Sequence, residues 1–375
     1  MNFDLKKHTI LLTVAGSRAY GISTPASDVD VKGVVIPPKE YYFGFASKFE
    51  QADSSESISV FTPDMTDDER NVISSSKLEG SAYEIRKFIA LASDSNPNIL
   101  DCLFCDDQHV RVQTALGKEL RDNRDQFISA RAKFTFSGYA ISQLKRIKTH
   151  RRWLLNPVTK QPTRADFGLP EQTVVSADQM AAVNSAVQKK IDSWNLDLNS
   201  IPDSDRIHIL DQVYKYMSDL AMTRDDVWTS ASRCIGLEEN FIEILDNERR
   251  YRGAHTEWTQ YQSWLVNRNK ARATLEADFG YDTKHAAHLV RLLRMGKEIL
   301  TEGNVSVNRA GIDADEIIGI RKGSWKYDDL IEWADAETAK LDEIYRTGKY
   351  VVPKIPDIQK LDAMCVDLIE RFSAK

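Results

Sequence analysis

The sequence predicts an α/β (α+β) fold. A domain with a small mixed sheet and flanking helices spans residues 1–112, and a larger all-helical domain spans residues 113–375. Three observations predict it. Two apolar runs, residues 8–15 and 28–36, have strand character and are bounded by turn residues. Beyond residue 84 the apolar positions recur with the helical period. From residue 113 onward nearly every segment follows that period, with neither an internal repeat nor a low-complexity tail.

The elements follow in order. Ile10, Leu11, Leu12 and Val14 mark the first strand, and Pro37-Pro38 ends the second. Residues 40–45, rich in Tyr and Phe, form a short helix or turn. Residues 51–76 are rich in Ser, Asp and Glu and read as a surface loop with one strand-like piece, Ile58 to Phe61. Lys77 to Tyr83 follows, with Gly80 and Ser81 weakening a strand reading. A helix from Glu84 to Ala92 carries Ile85, Phe88, Ile89 and Ala92 on one face. Asn96 caps, and Pro97 opens, another short helix. Helices are expected at 113–124 and 131–154, the latter with Phe136, Ala140, Leu144 and Ile147 in a stripe. Residues 156–180 hold three prolines and no period, and read as an ordered excursion or a flexible loop. Helices resume at 180–195, 206–223, 236–247, 253–277 and 283–302. Val305 and Val307 suggest a small hairpin arm, and helical segments at 323–346 and 356–372 close the chain.

Composition bounds the class. The chain has 375 residues, 42% hydrophobic and 28% charged, which suits a globular protein of two domains. A net charge of −6 argues against nonspecific coating of nucleic acid and leaves room for a local basic groove. No apolar stretch reaches bilayer length, and the N-terminal run reads as a buried strand. Cys102 and Cys105 form a C-x-x-C inside an apolar run, while Cys234 and Cys365 are isolated. Without a second ligand pair these read as buried thiols, and a reducing cytoplasm is the expected setting.

The chemistry concentrates in Gly16-Ser17-Arg18 and in Asp28-Val29-Asp30. Alternate residues of a strand point the same way, so Asp28 and Asp30 project together and Val29 turns back to the core. Two carboxylates aimed at one spot repel unless a cation lies between them, and hard oxygen ligands suit Mg²⁺ held together with substrate phosphates. Gly16 and Ser17 offer backbone N–H groups and a hydroxyl to those phosphates. The pattern reads as an enzyme that handles a nucleoside triphosphate. A third carboxylate for a two-metal site is available from Glu79 or Glu84. Arg18 beside the turn is a phosphate-binding candidate. Farther along, Lys284, His288, Arg291 and Met295 share a helix face, and the first three suit a triphosphate. His285 falls on the apolar side and reads as a core histidine; His285 and His288 have no zinc partner at HExxH spacing. Lys145, Lys148 and Arg152, ending at Trp153, form a basic stripe with a ring that could stack on RNA.

Gly-Ser followed by Asp-x-Asp resembles the nucleotidyltransferase superfamily of the DNA polymerase β type. The longer string from Gly16 to Pro38 is similar, more narrowly, to the RNA-ligase-associated polymerases. The resemblance covers most of the chain and is strongest at 14–38, 77–104, 134–146 and 281–309. It places the third carboxylate on Glu79, four residues before Tyr83. It adds Gln143 as a base- or phosphate-binding candidate on a helical domain that closes over the nucleotide. It matches Lys284, His288 and Arg291 to the family's second-domain string. It implies transfer of a nucleoside monophosphate from an NTP to an acceptor hydroxyl with release of pyrophosphate. Two Mg²⁺ or Mn²⁺ ions on Asp28, Asp30 and Glu79 are implied, with an RNA 3′ end, as in tRNA repair, as the expected acceptor. A protein side chain as acceptor, and a degenerate module that only binds nucleotide or RNA, are the alternatives.

Overall fold

A computed structural model describes residues 3–24, 27–173, 175–194, 224–268 and 270–374. The helix expected at 206–223 lies outside them. Five strands form one mixed sheet in the order β3-β4-β2-β1-β5: β1 (Thr9–Ala15), β2 (Val29–Val35), β3 (Gln51–Ala52), β4 (Leu78–Glu84) and β5 (Val110–Gln113). β1 runs antiparallel to β2 and β5, while β2 and β4 are parallel. Every residue of β1 is buried, as expected of a central strand covered on both faces.

The strand alternation sorts the core into two layers. Leu12, Val14, Val29, Val31 and Val35 pack with Ile58 and Phe61 on one side. Ile10, Leu11 and Val34 pack on the other with Phe88, Leu100, Phe136 and a long C-terminal helix, Thr283–Glu302. Asp30 and Lys32 share the face of Val34 and therefore point toward the helical layer.

By contact the chain divides into two compact units, residues 1–151 with 271–375, and residues 152–270. The boundary expected at residue 112 does not coincide with this division. The helix Ala132–Leu155 up to residue 151, and everything from residue 271, fold with the sheet, because their apolar faces complete its helical layer. The unit 152–270 has its own small core of Val175, Met180, Val187, Trp228, Ile242 and Leu245. A buried Arg164–Glu248 ion pair lies within that unit.

Several expectations are corrected. The stretch at 58–61 is helical, Ser55–Ile58 running into a 3₁₀ turn at Ser59–Asp64. The expected loop also holds the helix Asp67–Ser75, started by a capping box in which Thr66 and Glu69 satisfy each other's backbone N–H groups. Gly80 and Ser81 lie within β4 after all. A Cβ on Gly80 would lie 2.0 Å from the Val31 carbonyl oxygen, and its φ of +151° suits only glycine, so the residue that weakened the strand reading is what lets β4 approach β2. Helices 236–247 and 253–277 become one 29-residue helix, Glu239–Asn267, passing through Gly253, and a second helix Lys270–Phe279. Val305 and Val307 are buried but form no hairpin. A further helix, Ala314–Arg321, was not anticipated.

Candidate active site

Ala15 ends β1, and the chain turns at once into the short helix Gly16–Ala19. Gly16 has φ +65°, and a Cβ there would lie 2.6 Å from Oδ2 of Asp30. The glycine is required twice, for its backbone angle and for the carboxylate beside it. Asp30 lies opposite Ala15 on one side and opposite Glu79 on the other. Asp28 precedes it by two residues. Asp28, Asp30 and Glu79 thus share one face of the sheet, Asp30 half-buried and the other two exposed.

Burial, followed by the charge of Asp28 and, more weakly, that of Glu79, raises the pKa of the Asp30 carboxyl above the ordinary carboxylate value; Lys32 and Lys284 oppose the rise. Part of the rise is repulsion from the neighbouring carboxylates, which a cation between them would relieve. The three carboxylates therefore fit a divalent metal ion.

Asp28 and Asp30 open onto a cavity of about 630 Å³. Its walls include Gly16, Ser17, Asp28, Asp30 and Lys32 from the sheet side, and Gln143, Lys284, His288 and Arg291 from the helices. Gly80 and Ser81 represent β4 in the wall, and Glu79 lies beside Asp30 without lining it. Asp282 caps the helix Thr283–Glu302, so Lys284 lies in its first turn, where the helix dipole favours anions.

Arg291 is almost wholly buried, 1% exposed, with its guanidinium 3.6 Å from the Tyr20 ring centroid. It pairs loosely with Asp101 at 3.8 Å, and its Nη2 is buried without a hydrogen-bond partner, a donor available to an anion in the cavity. Tyr20 donates its hydroxyl to Asp101. Asn96 caps the helix Pro97–Phe104 as expected, and that helix carries Asp101 beneath the site.

The remaining candidates divide. His288 is in the wall, but burial, and then Arg291, lower its pKa to about 3, so it offers a neutral imidazole and no charge. Arg18 points elsewhere: its guanidinium donates to the carbonyls of Ser27 at 3.1 Å and Asp28 at 3.2 Å, holding the segment that presents Asp28. Gln143 lines the cavity and accepts a hydrogen bond from Nδ1 of His285 at 2.7 Å. His285 is thus a wall residue of the cavity and not the core histidine expected.

The basic stripe is corrected in its aromatic part. Lys145 and Lys148 are exposed, but Arg152 pairs with Glu257. Trp153 is 5% exposed, donates its indole N–H to Glu257 and packs its ring against Tyr261 and Trp264, so it presents no face to a base. Arg146, on another side of the same helix, is the residue of that basic run that reaches the cavity. Burial pushes the Cys102 and Cys105 thiols up to about 11 and 12, which keeps them protonated.

Sequence reasoning missed Lys32, Arg146 and Arg321. Lys32 donates to the Asn98 carbonyl at 2.9 Å, and burial lowers its pKa. Its position two residues after Asp30 was the available signal. Arg321 donates to the Ile22 carbonyl at 2.9 Å, a contact across 299 residues that no local pattern announces.

Residues 4–158 match the family RlaP, described as the RNA repair pathway DNA polymerase beta family. An uncharacterized 38.9 kDa protein in the nrdC-mobD intergenic region of Enterobacteria phage T4 is 30% identical over 172 residues. That similarity covers 44% of this chain and 46% of the phage protein, so the chain spans about half the length of this relative. No solved structure matches. Enzymes of the polymerase β type use divalent metal ions, in keeping with the clustered carboxylates. Over residues 4–158, then, the chain is similar to the RNA repair pathway DNA polymerase beta family.

Proposed function

We propose that this enzyme transfers a nucleoside monophosphate from an NTP to a hydroxyl at an RNA 3′ end, releasing pyrophosphate. The observation that carries the reading is the opening of Asp28 and Asp30, with Glu79 beside Asp30 on the same sheet face, onto a cavity walled by Gly16, Ser17, Lys284 and Arg291. Asp28, Asp30 and Glu79 would hold two divalent ions, Mg²⁺ or Mn²⁺. When bound, such ions neutralise charge on the transferring phosphoryl group and lower the pKa of the acceptor hydroxyl.

The chain's own groups account for the rest. The Gly16-Ser17 turn, with no side chain on Gly16, lets backbone approach the phosphates closely. Arg291 brings a rigid, permanently charged fork with an unused Nη2 donor. Lys284 adds charge at the helix N-terminus. Lys32, anchored on Asn98, sets a positive charge beside Asp30 and tempers the repulsion among the acids. His288 stays neutral and can donate or accept one hydrogen bond without competing for the metal's charge. Gln143, Lys145, Lys148 and Arg146 lie along one helix whose cavity side faces nucleotide and whose exposed lysines suit an RNA backbone.

The family description favours RNA as acceptor. Incubation with each α-labelled NTP, Mg²⁺ or Mn²⁺, and either total RNA or total protein tests this. Label is expected in RNA; label in protein would replace the acceptor assignment, and label in neither pool would refute transfer.

A further inference from the structure

Beside the cavity, in the same compact unit, lies a second cluster that the transfer reading does not use. His150, near the end of one long helix, meets Asp282 and His285 at the start of another. Each offers a ligand atom, and the three atoms lie within 4.8 Å of one another. Asp282 is 3% exposed, and both histidines are half-buried. Glu276, itself 2% exposed, comes within 3.6 Å of Nδ1 of His150.

The hydrogen bonding explains why this is more than a chance gathering. Gln143 accepts from Nδ1 of His285, so the proton of the neutral imidazole lies on Nδ1. Nε2 then carries a lone pair, and it faces Oδ2 of Asp282 at 3.4 Å. Two acceptors set against each other are unfavourable unless a cation lies between them or the ring is doubly protonated. A carbonyl that fixes the tautomer of a histidine, leaving the other nitrogen to a ligand, is the usual outer support of a metal-bound imidazole. Two imidazoles and a carboxylate, with a second carboxylate close by, are the donor types that select zinc over magnesium. Around zinc such donors lie roughly 3.3 Å apart, a contraction that side-chain rotation alone supplies.

We infer that His150, Asp282 and His285 form a zinc-type transition-metal site, separate from Asp28 and Asp30, with Gln143 as its supporting residue. The site ties the helix Ala132–Leu155 to the helix that carries Lys284 and Arg291. It thereby fixes one wall of the nucleotide cavity, since Gln143 and His285 belong to both. HExxH-like spacing could not reveal it, because the partner of His285 lies 135 positions earlier, from residue 150 to residue 285.

Full-length protein purified without a metal-affinity tag tests this by elemental analysis and by titration of the metal-free protein with Zn²⁺ alone. About one equivalent of zinc is expected, retained in the Asp28→Ala/Asp30→Ala double variant, so the result does not depend on the transfer reading. His150→Ala and Asp282→Asn, the latter keeping the helix cap, should lose at least 100-fold in zinc affinity, and Gln143→Ala about 10–100-fold. Circular dichroism checks that each variant is folded. Co²⁺ added to the unmodified protein should give the intense visible bands of a four-coordinate site. Absence of zinc binding and of those bands, or equal binding in the His150 and Asp282 variants, would overturn the assignment. Zinc lost only in the Asp28/Asp30 variant would assign the ion to the other site.

Discussion

Asp30 is half-buried on β2, with Asp28 two residues before it and Glu79 opposite on β4. Its raised pKa gives a definite pH dependence. The folded state holds the Asp30 proton more tightly than the unfolded chain does. Its contribution to stability is therefore fully present below the unfolded pKa and is lost as pH rises through the folded value. At neutral pH, without metal, the carboxylate is a strain on the fold. Asp30→Asn should accordingly raise the melting temperature of the metal-free protein by on the order of a few degrees at pH 7 and abolish the further rise that Mg²⁺ gives the parent, both read in thermal melts. Transfer activity should fall as pH drops through the raised pKa, because the protonated acid no longer binds metal. Gly16→Ala should lower both stability, by about 1 kcal/mol, and turnover, since its Cβ would displace the Asp30 carboxylate and its backbone lies at φ +65°. At this scale the sequence was legible where residues two apart share a strand face, as Asp28 and Asp30 do. The same rule reached Lys32 but was not applied to it, because it sits within an apolar run. The Gln143–His285 contact spans 142 positions and was out of reach of any local pattern. Arg18 was misjudged because nearness to the turn said nothing of which way its long side chain folds back.

The elements that build the site depend on close backbone approach. Gly296 lets the helix Thr283–Glu302 pack on Phe136, since a Cβ there would lie 2.9 Å from the Phe136 Cβ. Gly296→Ala should cost about 1–3 kcal/mol by overpacking, measurable in denaturant melts, and should weaken nucleotide binding because Lys284 and Arg291 ride on that helix. Thr66→Ala, which opens the capping box of Asp67–Ser75, should cost about 1 kcal/mol while leaving turnover unchanged, as that helix lies on the far layer of the sheet. Amphipathic helices such as Ile85–Ser93 and Thr283–Glu302 were read from their period with little error. Short polar elements were not. In Ser55–Ser75 the composition of a loop concealed helices whose starts depend on caps such as Thr66, and in β4 a glycine needed for strand contact was taken as a sign against a strand.

Across the whole molecule, the unit that holds the cavity is discontinuous in sequence. Its sheet and first helices come from residues 1–151 and its last helices from 271–375. Leu289, Leu292, Ile299, Leu361 and Leu368 are buried in the same apolar cluster as Ile10 and Phe88. A fragment ending at residue 151 should therefore fail to give a cooperative melt. Adding residues 271–375 as a separate chain should restore one. This organisation escaped the sequence reading, which drew its boundary at 112 where strands give way to helices. Composition changes there, but the hydrophobic layer does not end. Acids of the sheet and cations of the far helices meet in one cavity. The most direct test of their acting together is metal-dependent pyrophosphate release from NTP by the full-length protein in the presence of total RNA, compared with Asp28→Ala and Asp30→Ala. Release by the parent and a loss of roughly 10³-fold in both folded variants is the expected result, at the upper end of what one electrostatic contact at a reacting centre supplies. Undiminished Mg²⁺-dependent release in both variants would contradict it.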